Sequence, residues 1–308
     1  MSGTRAPGDG FSPRILDPKI VRAIALDLDG TALLPGNTFS ARTVRVLKDC
    51  MRKDIAVIMA TGRAIDAAEK YRLAIGAEGP MVYFNGAEVV DMPSRTLLSA
   101  ALLAPEIAVF CAELSRSIGV HFQVFLPGRP EKAAPDGTGN AAPAGEVLLI
   151  EKESPEAEMY RGHTGLVPVV GNIVEAVSDP GCGGCVKGMF IAEPAAHSGI
   201  AKELAGRFGN SVAVVRTYPV FLEVMNPGVS KGEGLKTALF HRGIDPAEVV
   251  ALGDEENDLS MFAAAGFSAA PANAREQVRE AADLVIGANS EDGAAVFLEE
   301  LLSRRGGA

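Results

Sequence analysis

The feature that most constrains the fold of this chain is a pair of aspartates directly behind an apolar run. The run covers residues 20–26, and Asp27-Leu28-Asp29-Gly30-Thr31 follows it. Strand alternation would turn one of the two carboxylates toward the interior unless the chain bends sharply after Asp27, and Gly30 permits such a bend. Both carboxylates then face the crevice at the carboxyl end of a buried strand, where open α/β sheets bind ligands. The sequence therefore predicts an α/β fold with an acidic site at a sheet edge.

Apolar runs alternate with helical patterns through the first 85 residues. Residues 55–59 and 81–84 are typical of buried strands, and Ser40 is placed to cap a helix between the first two strands. Strands joined by helices at short spacing predict right-handed crossovers and a parallel, Rossmann-like sheet. The same rhythm returns near the C-terminus, with elements predicted at 230–241 (helix), 249–252 (strand), 284–286 (strand) and 292–302 (helix).

The pattern between these two segments is less regular, which predicts an inserted domain. We expect a disordered leader over 1–19, an α/β core from 20–86 and 217–308, and an α/β cap over 87–216. Residues 127–145 of the cap form a low-complexity loop rich in Pro, Gly and Ala.

The cysteines and the net charge exclude several classes of protein. Cys182-Gly183-Gly184-Cys185 has the spacing of redox and metal sites, but one such pair without nearby histidines favours a glycine-rich loop. A net charge of −10 without a basic cluster argues against nucleic-acid and anionic-membrane partners. The N-terminus has no apolar signal core, so we expect a cytoplasmic protein. The sequence leaves a monomer and a homodimer both open.

The two aspartates suit phosphoryl transfer. Asp27 is an ionised nucleophile at neutral pH without a helper base, and its attack on a phosphomonoester would give an aspartyl-phosphate. Asp29 would protonate the departing alkoxide and then take a proton from the hydrolytic water. Because two neighbouring carboxylates repel each other, we expect a cation between them, and the oxygen ligands favour Mg²⁺. Asp254, at the end of the strand predicted at 249–252, is a further ligand.

Two other segments offer groups for an anion. Thr61 and Gly62 stand where a strand feeds a helix, and a hydroxyl with backbone N–H groups there can bind phosphate. Lys231 falls in the first turn of its helix, where a cation opposes the helix dipole, so we interpret it as a phosphate ligand. Asn257 and Asp258 open the next helix and are expected to orient Lys231 or a metal-bound water.

Taken in chain order, these segments resemble the haloacid dehalogenase (HAD) superfamily, and within it the Cof-type phosphatases with a class IIB α/β cap. The C-terminal Asn273-Ala274 and Ala282-Asp283 also resemble that family. The resemblance rests on five motifs: Asp27-Leu28-Asp29-Gly30-Thr31, Ala60-Thr61-Gly62-Arg63, Asn85-Gly86-Ala87, Val229-Ser230-Lys231-Gly232 and Gly253-Asp254-x-x-Asn257-Asp258-x-x-Met261.

The resemblance implies a ligand set for the metal and the phosphate. Mg²⁺ would be held by the Asp27 side chain, the Asp29 backbone carbonyl and Asp254. Phosphate would be held by Thr61 and Lys231. The cap would be inserted after the third strand.

The resemblance also implies a reaction and leaves its substrate open. Arg63, Asn85 and Gly86 would face the junction of core and cap and are candidates for substrate specificity. We expect a Mg²⁺-dependent phosphatase acting on a small phosphorylated metabolite such as a sugar phosphate. The alternatives are a phosphotransferase of the phosphomannomutase kind and a non-catalytic module that binds a phosphorylated ligand.

Overall fold

The computed structural model describes residues 14–127 and 146–306. The chain divides into two compact units, one formed by Met1–Met59 with Leu239–Ala308 and the other by Ala60–Ala238. We call them the first and the second unit. The predicted core and cap have other boundaries, and that division stays a prediction. Among the described residues, no helix is long and apolar enough to cross a membrane.

The strands of both units are short and numbered in chain order. They are β1 Ala23–Leu26, β2 Ala56–Met59, β3 Gly79–Tyr83, β4 Glu88–Met92, β5 Thr96–Ala100, β6 His121–Leu126, β7 Val147–Ile150, β8 Val169–Val170, β9 Lys187–Ile191, β10 Ala213–Tyr218, β11 Phe221–Met225, β12 Val249–Leu252, β13 Phe267–Pro271 and β14 Leu284–Ile286.

The α-helices are numbered in the same way. They are α1 Ala41–Arg52, α2 Ile65–Ile75, α3 Pro105–Ile118, α4 Pro155–Thr164, α5 Ile173–Ser178, α6 Pro194–Phe208, α7 Lys231–Arg242, α8 Leu259–Ala264, α9 Glu276–Ala281 and α10 Gly293–Gly306.

The first unit contains a five-stranded parallel sheet in the order β14-β13-β12-β1-β2. Its central strands β1 and β12 consist of small and branched apolar residues that are buried throughout, as expected for a parallel sheet covered on both faces. The predicted α/β class is confirmed. The Ser40 side chain accepts a hydrogen bond from the Thr43 N–H at the start of α1, as the capping prediction requires.

The register of this sheet brings three strand ends to the same level. Leu26 at the end of β1 pairs with Leu252 of β12 on one side and with Met59 of β2 on the other. Polar residues that follow β1 and β12 therefore leave the sheet side by side.

The predicted leader over 1–19 is described only from residue 14 onward. In that part the Arg14 guanidinium forms an ion pair with Asp283 at 2.6 Å, and the Arg14 N–H donates to the same carboxylate at 2.8 Å. Arg14 is therefore held against the first unit. Residues 1–13 lie outside the described residues, as does almost all of the loop predicted at 127–145.

The second unit contains two sheets. A six-stranded sheet has the order β10-β11-β9-β6-β7-β8, and a three-stranded antiparallel sheet has the order β3-β4-β5. The third predicted strand, β3, therefore belongs to an antiparallel ladder and not to the five-stranded sheet. A single parallel bridge joins its Val82 to Ala60.

The cysteine pair of the second unit adopts the glycine-rich loop that the sequence favours. Gly183 and Gly184 both have positive φ angles, +71° and +122°, which β-carbon-bearing residues rarely adopt. Cys182 and Cys185 are buried free thiols, and the Cys182 Sγ donates to the Gly184 carbonyl at 2.9 Å.

Candidate functional site

The aspartates of the first unit follow adjacent strands. Asp27 comes directly after β1, and its N–H donates to the Leu252 carbonyl of β12 at 3.0 Å. Asp254 follows β12 after one glycine. Because β1 and β12 are parallel and in register, the two side chains reach the same edge of the sheet.

Three carboxylates gather at this edge. Asp27, Asp254 and Asp258 are all buried, and each offers an oxygen that lies within 4.8 Å of the other two. Asp258 Oδ2 also accepts hydrogen bonds from the N–H groups of Asp254 at 2.9 Å and Glu255 at 3.0 Å. Asp258 was expected only to orient neighbouring groups, whereas here it both shapes the Asp254 loop and joins the cluster.

The turn after Asp27 has the sharp bend that the sequence predicts. Gly30 has a φ of +79°, and a β-carbon there would lie 2.1 Å from Asp254 Oδ2. Thr31 donates to Asp254 Oδ1 at 2.8 Å, and Asn273 donates to the Gly30 carbonyl at 2.8 Å. The Asp29 side chain is exposed. Glycine at position 30 therefore allows the aspartate turn to lie against the Asp254 carboxylate.

Replacing Gly30 with Ala is expected to lower the free energy of unfolding by more than the strain of an alanine at positive φ would lower it. Gly36 is the matched control, because its φ is +99° and a β-carbon there would meet nothing within 4 Å. The backbone strain costs about 1–2 kcal/mol, and the clash with Asp254 adds about 1–3 kcal/mol at position 30 only. Urea unfolding of both variants measures the difference, and equal losses would contradict the tight contact.

The phosphate-binding candidates lie together in the second unit. Thr61 is fully buried, its N–H donates to the Val82 carbonyl at 3.0 Å, and its carbonyl accepts from the Asn85 N–H at 2.9 Å. The Thr61 hydroxyl accepts from the Arg63 N–H at 3.1 Å. A β-carbon on Gly62 would lie 2.9 Å from Asn85 Oδ1. The loop that follows Ala60 and the loop that follows Tyr83 are therefore hydrogen-bonded and closely packed against each other.

Lys231 is held against the same pair of loops. A β-carbon on Gly86 would lie 2.0 Å from the Ser230 carbonyl oxygen, so the start of α7 packs directly on this glycine. A β-carbon on Gly234 would lie 2.5 Å from Val82 Cγ1. Glycine is a poor helix former, but this close packing against β3 leaves no room for a β-carbon at position 234. Lys231 itself is only 1 % exposed.

An unpredicted carboxylate occupies the start of α2. Glu146 accepts hydrogen bonds from the N–H groups of Ile65 at 3.0 Å and Asp66 at 3.1 Å. Burial raises the pKa of Glu146 to about 7, against the lowering effect of these two bonds. The first N–H groups of a helix are those that bind anions. An anion near this segment would therefore depend on Thr61 and Gly62 rather than on the first turn of α2.

The predicted residues form two groups, one in each unit. The first unit brings together Asp27, Asp254 and Asp258, with Asp29 and Asn257 on the same loops. The second unit brings together the residues expected to bind phosphate or substrate: Thr61, Gly62, Arg63, Asn85, Gly86 and Lys231. Sequence analysis missed Thr31, Asn273 and Glu146 as contributors. Thr31 and Asn273 belong to motifs already quoted, whereas Glu146 carries no local signal.

The family model for haloacid dehalogenase-like hydrolases matches residues 24–298 of this chain. The match includes every segment that carries the two groups. The chain belongs to the haloacid dehalogenase-like hydrolases, as its motifs predict.

Individual relatives match over nearly their full lengths. A phosphoglycolate phosphatase of Halorubrum lacusprofundi is 30% identical over 285 residues, covering 92% of this chain and 99% of the relative. A 5-amino-6-(5-phospho-D-ribitylamino)uracil phosphatase of Bacillus subtilis is 26% identical, covering 92% and 99%. The crystal structure of TM0651 from Thermotoga maritima is similar with a TM-score of 0.77 and 28% identity, covering 91% of this chain and 97% of that one.

Proposed function

We propose that this protein is a Mg²⁺-dependent phosphatase that hydrolyses small phosphomonoesters, sugar phosphates in the first place, through an aspartyl-phosphate. The observation that carries the proposal is the buried cluster of Asp27, Asp254 and Asp258 beside the Gly30 turn. Family membership and the phosphatase names of the two curated relatives support it.

The carboxylate cluster fits a hard divalent cation. Three buried carboxylates within 4.8 Å repel one another unless a positive charge or a proton separates them. Their oxygens are the ligands that Mg²⁺ prefers. Asp27 and Asp254 would hold the ion by their side chains and Asp29 by its backbone carbonyl, with Asp258 fixing the loop. The bound ion supplies charge neutralisation for an anionic substrate.

The protein's own residues divide the remaining work. Asp27, set at the strand end by its hydrogen bond to Leu252, would attack the phosphorus atom and displace the alcohol. Asp29 would give its proton to the leaving oxygen and then receive one from the water that cleaves the aspartyl-phosphate. Thr61, Gly62 and Lys231 would bind the phosphoryl oxygens by hydrogen bonds and charge.

The test is phosphate release from a panel of sugar phosphates, nucleotides and p-nitrophenyl phosphate, measured with Mg²⁺ and after treatment with EDTA. We expect EDTA to reduce release by at least about 100-fold, because the acidic cluster would then repel the dianionic substrate. Added Mg²⁺ should restore the rate. Release that survives EDTA would contradict the metal assignment, and release from no substrate would contradict the phosphatase.

Phosphoryl transfer back to a sugar would separate a mutase from a phosphatase. With a labelled phosphomonoester and excess sugar acceptor, we expect the label to appear as inorganic phosphate. Retention of the label on a sugar would favour the phosphotransferase alternative.

A further inference from the structure

The six-stranded sheet of the second unit has two faces of different character. One face packs under α3, α5 and α6 through an apolar cluster that includes Phe122, Phe190 and Val224. Side chains alternate along a strand, so the residues between these point to the other face. That second face carries Lys187 and Glu223, both buried.

Lys187 and Glu223 form a buried ion pair across neighbouring strands. Glu223 of β11 pairs with Met189 of β9, so Lys187 lies diagonally opposite Glu223 on the same face. The Lys187 ammonium lies 2.8 Å from Glu223 Oε1, and the two side chains are only 4% and 6% exposed. The second oxygen, Oε2, is buried and has no hydrogen-bond partner among the described residues. The pair therefore holds a buried acceptor that is not satisfied within the described chain.

Aromatic rings surround the ammonium end of this pair. The Lys187 Nζ lies 5.0 Å from the ring centre of Phe125 and 5.6 Å from that of Phe84. Phe125 stands opposite Lys187 on β6. These rings restrict water around the cation, so a hydrogen bond made here is stronger than one made at the surface.

Phe84 connects the pair to the phosphate-binding candidates. The Phe84 N–H donates to the Arg63 carbonyl at 3.1 Å, and the next residue, Asn85, donates to the Thr61 carbonyl. Phe84 thus contacts Lys187 through its ring and the loop that carries Thr61 through its backbone N–H. A ligand that extends from Thr61 past the Phe84 ring would meet this pair.

The chemistry of the pair selects one kind of group. Glu223 Oε2 can accept from a hydroxyl, and the Lys187 ammonium has donors beyond the one given to Glu223. The pair is electrically neutral as a whole. A carboxylate on the ligand would approach the Glu223 charge and lose its own hydration, whereas a neutral hydroxyl would satisfy the buried oxygen.

We infer that Lys187 and Glu223 bind hydroxyl groups of the leaving alcohol, so that the enzyme prefers neutral polyol and sugar phosphates to phosphoglycolate and to unsubstituted alkyl phosphates. This inference rests on the proposed phosphatase function. Two relatives differ in the same property of their named substrates. One is named for a ribityl phosphate, and the other for phosphoglycolate, which carries a carboxylate.

The first test uses the unmodified protein. A pentitol 5-phosphate, pentyl phosphate and phosphoglycolate are compared by kcat/KM, with p-nitrophenyl phosphate as a reference substrate. We expect the pentitol phosphate to exceed pentyl phosphate by about tenfold to a hundredfold, the range of one buried hydrogen bond to a charged group. Equal values for these two substrates, or a preference for phosphoglycolate, would overturn the inference.

The second test removes the pair. Lys187→Met combined with Glu223→Leu replaces both charges, which avoids leaving one buried charge alone. The ratio of kcat/KM for the pentitol phosphate to that for p-nitrophenyl phosphate should fall by about tenfold or more, mainly through KM. Arg116→Met combined with Glu151→Leu is the control, because it removes a more exposed ion pair of the same unit. That control should leave the ratio unchanged.

The outcomes distinguish this inference from the function on which it rests. If p-nitrophenyl phosphate and the other esters all release no phosphate, the proposed function and the inference both fail. If phosphate is released but the folded double variant keeps the wild-type ratio, only the role of Lys187 and Glu223 is overturned. Thermal unfolding of each variant shows whether it is folded.

Discussion

Asp27→Asn is expected to reduce phosphate release by about 10⁴-fold or more on every substrate, because an amide cannot attack phosphorus or carry the phosphoryl group. The substitution keeps the size of the side chain, so the fold at the end of β1 should survive. Steady-state release with saturating Mg²⁺ measures the loss. Trapping with labelled substrate should show a protein-bound phosphoryl group in the wild type and none in the variant.

The control for this change is Asp54→Asn. Asp54 is exposed and has a φ of +58°, a conformation that asparagine accepts well. The same loss of one carboxylate there should leave turnover within about twofold, as for a surface substitution remote from the site. A similar large loss in both variants would show that net charge, and not the nucleophile, controls the rate.

Asp29→Asn is expected to slow hydrolysis of alkyl phosphates by about 10²–10⁴-fold, the usual contribution of a general acid–base. The loss should be smaller for p-nitrophenyl phosphate, because p-nitrophenolate leaves without needing a proton. The exposed position of the Asp29 side chain, two residues after Asp27, is compatible with this role. Kinetics on matched alkyl and aryl phosphates provide the measurement.

The ratio of the two losses decides the role of Asp29. Equal reductions on alkyl and aryl phosphates would assign it to the metal or the turn rather than to proton transfer. A burst of p-nitrophenolate followed by a slow phase would locate the remaining defect in hydrolysis of the proposed aspartyl-phosphate, the step in which we propose that Asp29 is the base.

The carboxylate cluster could be predicted because its signals are local. Asp27 and Asp254 each follow a short apolar run, and parallel strands present their carboxyl ends at one edge. The alternation of apolar strands and helices along the chain was therefore enough to predict that both residues lie at the same sheet edge. Asp258 was underestimated, because its bonds to the Asp254 and Glu255 N–H groups depend on the exact path of a loop.

The buried ion pair and the Glu146 contact of the second unit could not be predicted in the same way. Lys187 and Glu223 are 36 residues apart, and only the antiparallel pairing of β9 with β11 brings them together. Glu146 reaches the Ile65 N–H across 81 residues of sequence. Strand register in an antiparallel sheet depends on the packing of the whole sheet, which a single sequence does not reveal. The predicted third strand is found as β3, but its antiparallel pairing with β4 was not predicted, for the same reason.

Alternation along β9 has a consequence for how this enzyme can diverge. Gly188 and Phe190 belong to the face under the helices, where a β-carbon on Gly188 would lie 2.8 Å from the Phe122 ring. Lys187 and Met189 belong to the other face. Neighbouring positions of β9 are thus under different selection. One set of positions maintains the fold, and the other set determines which substrate binds. Descendants of this sequence could acquire new substrates through odd-numbered positions of β9 while the even-numbered ones keep the domain folded.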